Sequence, residues 1–167
     1  MTKKIKYLDD VLSEELADLY NAENQLVKAI PKMADATHSI ELKSILETHL
    51  VQTRNHVSRL EEVFNYLGGK PANVTCKAMK GLVEEGEEII KKSEHCAARD
   101  AAIIGVAQRI EHYEIAAYGT AQSHASLLGL KQIEELLRET LEEEKDVNTR
   151  LTDLAEEVIN SQAMQVA

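Results

Sequence analysis

The sequence has no tryptophan and a single phenylalanine, and only two prolines and seven glycines among 167 residues. So few turn-formers argue against the many short strands and tight turns of a β-sandwich or barrel. Glu, Lys, Leu and Ala dominate instead, the composition of an all-helical chain. Two cysteines, Cys76 and Cys96, form neither a disulfide framework nor a zinc motif and read as reduced thiols. The longest apolar run, AAIIGVA at 101–107, is far too short for a membrane span. The start, MTKKIKYLDDVLSEEL, is basic but lacks the apolar core of a secretory signal, so the expectation is a cytoplasmic protein with no membrane role. A formal net charge of −10 repels phosphates and excludes nucleic acid as a main partner. Lys3, Lys4 and Lys6 are too few to reverse that and read as a solvated tail. No Ser-His-Asp arrangement, phosphate loop or Cys/His zinc pattern is present.

Hydrophobic periodicity divides the chain into five helices of one domain, over about 7–36, 40–67, 78–94, 99–128 and 131–160. The first stripe is Leu8, Leu12, Leu16, Leu19, Glu23, Leu26, Ile30 and Met33, in steps of three and four. Pro31 lies within it and is expected to bend or open the helix. Ser39 is placed to cap the second helix, whose stripe is Leu42, Leu46, His49, Thr53, His56, Leu60, Val63 and Leu67. Gly68, Gly69 and Pro71 end it, and a loop of about ten residues leads to the short third helix. That helix carries Met79, Leu82, Val83, Ile89 and Ile90 on one side. Gly129 stops the fourth helix. The fifth stripe is Leu137, Thr140, Glu144, Val147, Leu151, Leu154 and Val158, and the final SQAMQVA is expected to fray. Two long hairpins joined by one long crossover make the ferritin-like four-helix bundle, here with a short extra helix.

Each long helix interrupts its apolar stripe with polar residues near mid-length. The first offers Glu23, the second His49, Gln52 and His56, and the fourth Glu111 and Glu114. The fifth offers Glu143 and Glu144, with Glu144 on the stripe. Taken singly, each has an ordinary explanation as a surface acid or a satisfied core histidine. Their coincidence at compatible depth does not, because facing buried carboxylates repel and a bound cation relieves them together. The expected ligand set is therefore Glu23, His49, His56, Glu111, Glu114 and Glu144. A carboxylate-rich site of this kind suits iron, as a pair of ions, or manganese, and also accepts magnesium. His112 points about 100° away from Glu111 and is expected to pack or hydrogen-bond rather than ligate. Helix two lacks the Glu-x-x-His of the di-iron template, and helix five has no histidine. The competing reading is a metal-free structural or interaction bundle whose acids are protonated or hydrogen-bonded.

The stretches LYNAENQL (19–26), CKAMKGLVEEGEE (76–88), RDAAIIGVAQRIEHYEIAAYGTA (99–121), LLRETLEEEK (136–145) and RLTDLA (150–155) resemble the YciE/YciF-like bacterial stress-protein family of the ferritin-like superfamily. The resemblance implies a four-helix bundle with a short extra helix, assembled as a homodimer with that helix near the interface. It also implies similarity to rubrerythrin-type di-iron proteins, with Glu23, Glu111, Glu114 and Glu144 as interior acids. Position 52, often Glu in such relatives, is Gln here. The resemblance supplies no reaction. Were the protein an enzyme, it would oxidise Fe(II) with O₂ or peroxide, with Glu111 and Glu144 as candidate metal bridges and Tyr20 and Tyr118 as hydrogen-bond donors or redox groups beside them.

Overall fold

The computed structural model describes residues 4–164. Helices run over Leu8–Ala36 (α1), Ile40–Tyr66 (α2), Lys77–Lys92 (α3), Ala97–Leu127 (α4) and Lys131–Leu154 (α5). From α5 the chain continues through a π-helical turn, Ala155–Ile159, into a last turn, Asn160–Ala163 (α6). The expected fraying thus spares the chain as far as Ala163. Residues 165–167 lie outside the described residues, as does Lys3 of the basic cluster. No strand occurs among the described residues, and none of their helices is long and apolar enough to cross a membrane.

The helix ends follow from local chemistry. The Asp10 carboxylate accepts from the backbone N–H groups of Lys6 and Tyr7 at 3.0 and 3.1 Å, holding the start of α1. Ser39 caps α2 as expected, its Oγ accepting from the Leu42 N–H at 3.2 Å. The C-termini of α2 and α4 close alike. Gly68 (φ +70°) and Gly129 (φ +72°) take the left-handed conformation, so that Gly69 N–H reaches Phe64 O at 3.0 Å and Leu130 N–H reaches Ala125 O at 2.9 Å. A Cβ is disfavoured in that conformation. Gly129→Ala is therefore expected to lower the unfolding free energy by about 1–2 kcal/mol, measurable by urea denaturation. Pro31 does not end α1, which stays helical through it to Ala36, since the missing N–H removes only one bond within the last two turns.

Contacts between the helices fix the topology. Tyr118 meets Glu23, His124 meets Glu15, and His38 and Ser39 meet Asp100, so α4 runs antiparallel to α1. His49 stands beside Glu144 and Arg59 beside Glu139, so α5 runs antiparallel to α2. α2 and α4 are then parallel, and the chain must travel back along the bundle between them. The loop 67–76 and the 16 residues of α3, about 24 Å of helix, make that return. Asn21 and Gln25 of α1 pin its midpoint, with Asn21 Oδ1 accepting from Cys76 N–H (2.9 Å) and Gln25 donating to Cys76 O (3.1 Å).

α3 lies on α1 and α4. Met79 and Gly86 are buried there, and a Cβ at Gly86 would stand 3.3 Å from Val106 Cγ1. Leu82, Val83, Ile89 and Ile90 pack against the core but stay half-exposed. The core itself falls into two apolar clusters. One holds Leu12, Leu16, Leu19, Leu60, Tyr118, Ala125 and Leu137. The other holds Leu26, Ile30, Leu42, Leu46, Ile104, Ile110, Val147 and Leu151. On every long helix the break between the clusters falls at the polar residues of the stripe.

Candidate metal centre

That break is a layer of ionisable side chains. Glu23 comes from α1, His49 and His56 from α2, Glu111 and Glu114 from α4, and Glu144 from α5, and all six are buried. Helical spacing explains the convergence. His49 and His56 are seven residues apart, two turns on one face, and Glu111 and Glu114 are three apart. The six form two overlapping groups whose donor atoms lie within 4.8 Å of one another: His49, Glu111, Glu114 and Glu144, and Glu23, His56 and Glu144. Glu144 belongs to both. His49 Nε2 stands 3.4 Å from Glu111 Oε1 and 3.8 Å from Glu144 Oε2. His56 Nδ1 stands 2.9 Å from Glu144 Oε1 and 3.3 Å from Glu23 Oε1.

Burial drives the electrostatics. It pushes Glu111 and Glu114 well above the usual carboxylate range, with Glu144 adding to the effect at Glu111 and Glu23 at Glu114. Burial raises Glu23 as well, offset in part by His56. His49 is lowered by burial. Burial would also lower His56, but Glu144 and Glu23 outweigh it and raise the ring to about 10. Burial works against Glu144 too, and the contacts with His56 and His49 overcome it, leaving the acid low.

Tyr118, fully buried, donates its hydroxyl proton to Glu23 Oε1 at 2.5 Å. Tyr20 does not join it. Its hydroxyl bonds Glu61 at 3.0 Å on the exposed side of the α1–α2 pair, and its ring packs edge-on against Phe64. His112 is exposed and bonds the Gln108 carbonyl at 2.8 Å, as its direction on the helix requires. Of the neighbours Glu143 and Glu144, Glu144 is the inward acid. Glu143 sits at the rim, with His56 Nε2 at 2.7 Å and Arg59 gripping it. Arg59 escaped the sequence reading, although its place three residues after His56 sets it over the same face of α2.

Hydrogen bonding within the layer is incomplete. Glu23 Oε2, His49 Nδ1, Glu111 Oε2, both oxygens of Glu114 and Glu144 Oε2 are buried without a hydrogen-bond partner. Buried polar atoms of folded proteins are nearly all paired, and these all face one small volume. The donor inventory, four glutamates and two histidines, equals that of the di-iron bundle template, with a different distribution. α2 carries both histidines and no buried acid. At position 53, three residues before His56, stands Thr53, whose hydroxyl bonds its own helix at His49 O, 3.0 Å. α4 carries two glutamates, so Glu114 restores the acid that α2 lacks. The residues present therefore fit a pair of divalent cations in number, charge and chemistry.

Comparison with known proteins agrees with this architecture. Residues 7–164 match the family described as a domain of unknown function, DUF892. Protein YciF of Escherichia coli (strain K12) is 42% identical over 160 residues, covering 95% of this chain and 96% of that protein. The crystal structure of the E. coli stress protein YciF superposes with a TM-score of 0.90 over 93% of this chain and 99% of that one. YcfI of Rhodopseudomonas palustris, 40% identical, superposes with a TM-score of 0.86 over 91% and 97% of the two chains. This chain, with its four-helix bundle and crossover helix, thus belongs to the DUF892 family of YciF-like proteins.

Proposed function

We propose that this protein holds two divalent metal ions, iron or manganese, in the layer between its two apolar clusters and acts in a stress response. The observation that carries the reading is Glu114. It is fully buried, neither of its oxygens has a hydrogen-bond partner, and it lies within ligand reach of His49, Glu111 and Glu144. Protonation alone would leave it a buried donor and acceptor still unpaired, at a cost of about 1–3 kcal/mol. Four carboxylates balance two divalent cations with both histidines neutral. Glu144, shared by the two groups, is the natural bridge. Bound iron would supply oxidation of Fe(II) by O₂ or peroxide. The chain's own part is to neutralise and space the ions, to fix Glu23 through Tyr118, and to shut out water with the clusters above and below. The stress role rests on the E. coli relative, which is described as a stress protein. A cytoplasmic location agrees with two free cysteines. Elemental analysis of protein purified without added metal tests the proposal. About two iron or manganese ions per chain are expected, and only trace metal would sink it.

One pattern favours a second reading, a metal-free structural bundle. With Glu111 and Glu114 neutral and a His56–Glu144 ion pair, protons can balance most of the layer's charge. The R. palustris relative is described as a candidate structural protein.

We also propose that two copies associate. The half-exposed Leu82, Val83, Ile89 and Ile90 of α3 form an apolar strip of the kind that marks an interface, and a two-fold arrangement is the default. Light scattering at micromolar concentration is expected to give twice the chain mass of 18.6 kDa. A monomer mass would rule the pairing out.

A further inference from the structure

Glu143 lies outside the ligand set but touches it. It immediately precedes Glu144 on α5, so while Glu144 points into the layer Glu143 turns about 100° aside, toward α2. There Arg59 holds both its oxygens, with Nη1 donating to Oε2 at 2.7 Å and Nη2 to Oε1 at 2.9 Å. This two-point grip fixes the carboxylate plane. Arg59 is itself steadied by Thr140 Oγ1 at 3.3 Å and by Glu139. The fixed Oε2 then meets His56 Nε2 at 2.7 Å. The other ring nitrogen, Nδ1, faces Glu144 and Glu23. His49 has no carboxylate in that role, only the neutral Gln52 beside it, and its Nδ1 is buried without a hydrogen-bond partner.

We propose that Glu143, clamped by Arg59, is the positioning residue of His56: it accepts a hydrogen bond from Nε2–H and so presents Nδ1 as the metal-facing nitrogen beside Glu144 and Glu23. This rests on the reading of the layer as a metal centre and names a residue outside its ligands. A metal-bound histidine commonly gives its second N–H to a carboxylate, which sets ring orientation and tautomer and strengthens the donor nitrogen. Here the supporting acid and the ligating acid are adjacent in sequence, and the arginine that aims the first is one turn from the histidine it serves. The competing view makes Glu143–Arg59 an ordinary rim ion pair between α2 and α5, which contributes little and leaves metal binding alone.

The two views separate by calorimetric titration of metal-stripped protein with Mn(II), together with the visible spectrum of the Co(II)-loaded form. Glu143→Ala is expected to weaken Mn(II) binding by about 10- to 100-fold and to alter the Co(II) bands. Glu143→Gln, which keeps an oxygen for the Nε2 proton, is expected to fall between that variant and the parent. Arg59 retains Glu139 in both variants, and circular dichroism of the metal-free proteins checks that they fold. A Glu143→Ala protein that binds Mn(II) as tightly as the parent, with an unchanged Co(II) spectrum, overturns the assignment. A parent that binds no Mn(II) overturns the metal reading itself, and the assignment with it.

Discussion

Adding Mn(II) or Fe(II) to the metal-free protein raises its melting temperature by about 5–10 °C, and Glu111→Gln removes most of that rise. The expectation follows from ligands that converge only in the folded chain. Glu23, His49, His56, Glu111, Glu114 and Glu144 come from four helices, so an unfolded chain offers no site and binding free energy becomes folding free energy. Metal at about 100 times its Kd adds about 2.7 kcal/mol, and a chain of this size gains about 2–4 °C per kcal/mol. Glu111 is a sound residue to change because burial and Glu144 already disfavour its charge. Exchanging it for the neutral amide leaves the metal-free fold equally stable or more stable. Differential scanning calorimetry with and without metal measures both effects. A Glu111→Gln protein that melts below the parent when both are metal-free, with no response of either to metal, would hand the layer to the structural reading.

Asp100→Ala is expected to cost about 3–5 kcal/mol, although Asp100 is no part of the centre. This acid, fully buried in the first turn of α4, accepts from the His38 and Ser39 backbone N–H groups, each at 2.7 Å. It thereby ties the start of the second hairpin to the turn of the first. A hydrogen bond to a charged group contributes about 1.5–3 kcal/mol, and removing the acceptor leaves two donors stranded. Asp100→Asn keeps one acceptor oxygen and is expected to lose roughly half as much. Urea denaturation of the two variants reads the effect, and a loss under about 1 kcal/mol for Asp100→Ala would show that water replaces the carboxylate.

Why was Asp100 silent in the sequence while Glu111 was not? Glu111 interrupts an apolar stripe, and an interruption can be seen in one dimension. Asp100 stands at a helix start, where an acid is ordinary, and its partners lie 61 and 62 residues away. The long helices, their glycine stops and the Ser39 cap could be read directly, because periodicity and capping are local. So could all six residues of the layer. Side-chain direction at the rim could not. Tyr20 lies three residues before Glu23 and still turns to Glu61, and Leu67, assigned to the stripe of α2, is 40% exposed at its C-terminal cap. The place of Glu143 at the rim was hidden in LEEEK, since choosing between two neighbouring acids needs the rotation of α5 against α2. At position 52, where relatives often carry Glu, the Gln52 side-chain oxygen is buried without a hydrogen-bond partner, and the buried acids lie on the other helices, two of them, Glu111 and Glu114, on α4.

The end of the fifth stripe has further members, which lie in the π-helical turn. Alternating steps of three and four point to Leu154 and Val158, which do pack against the core while half-exposed, but the buried residues are Val147, Leu151, Ala155 and Ile159, an unbroken ladder of fours. In an α-helix each step of four overshoots a full turn by about 40°. Three such steps would carry Ile159 about 120° around the axis, out toward water. The wider turn over Ala155–Ile159, closed by i→i+5 bonds, rotates less per residue and takes back the drift. The local pitch works as a vernier: it keeps a four-spaced pattern in register with a groove that a regular helix would leave, and it holds the chain's last turns on α4.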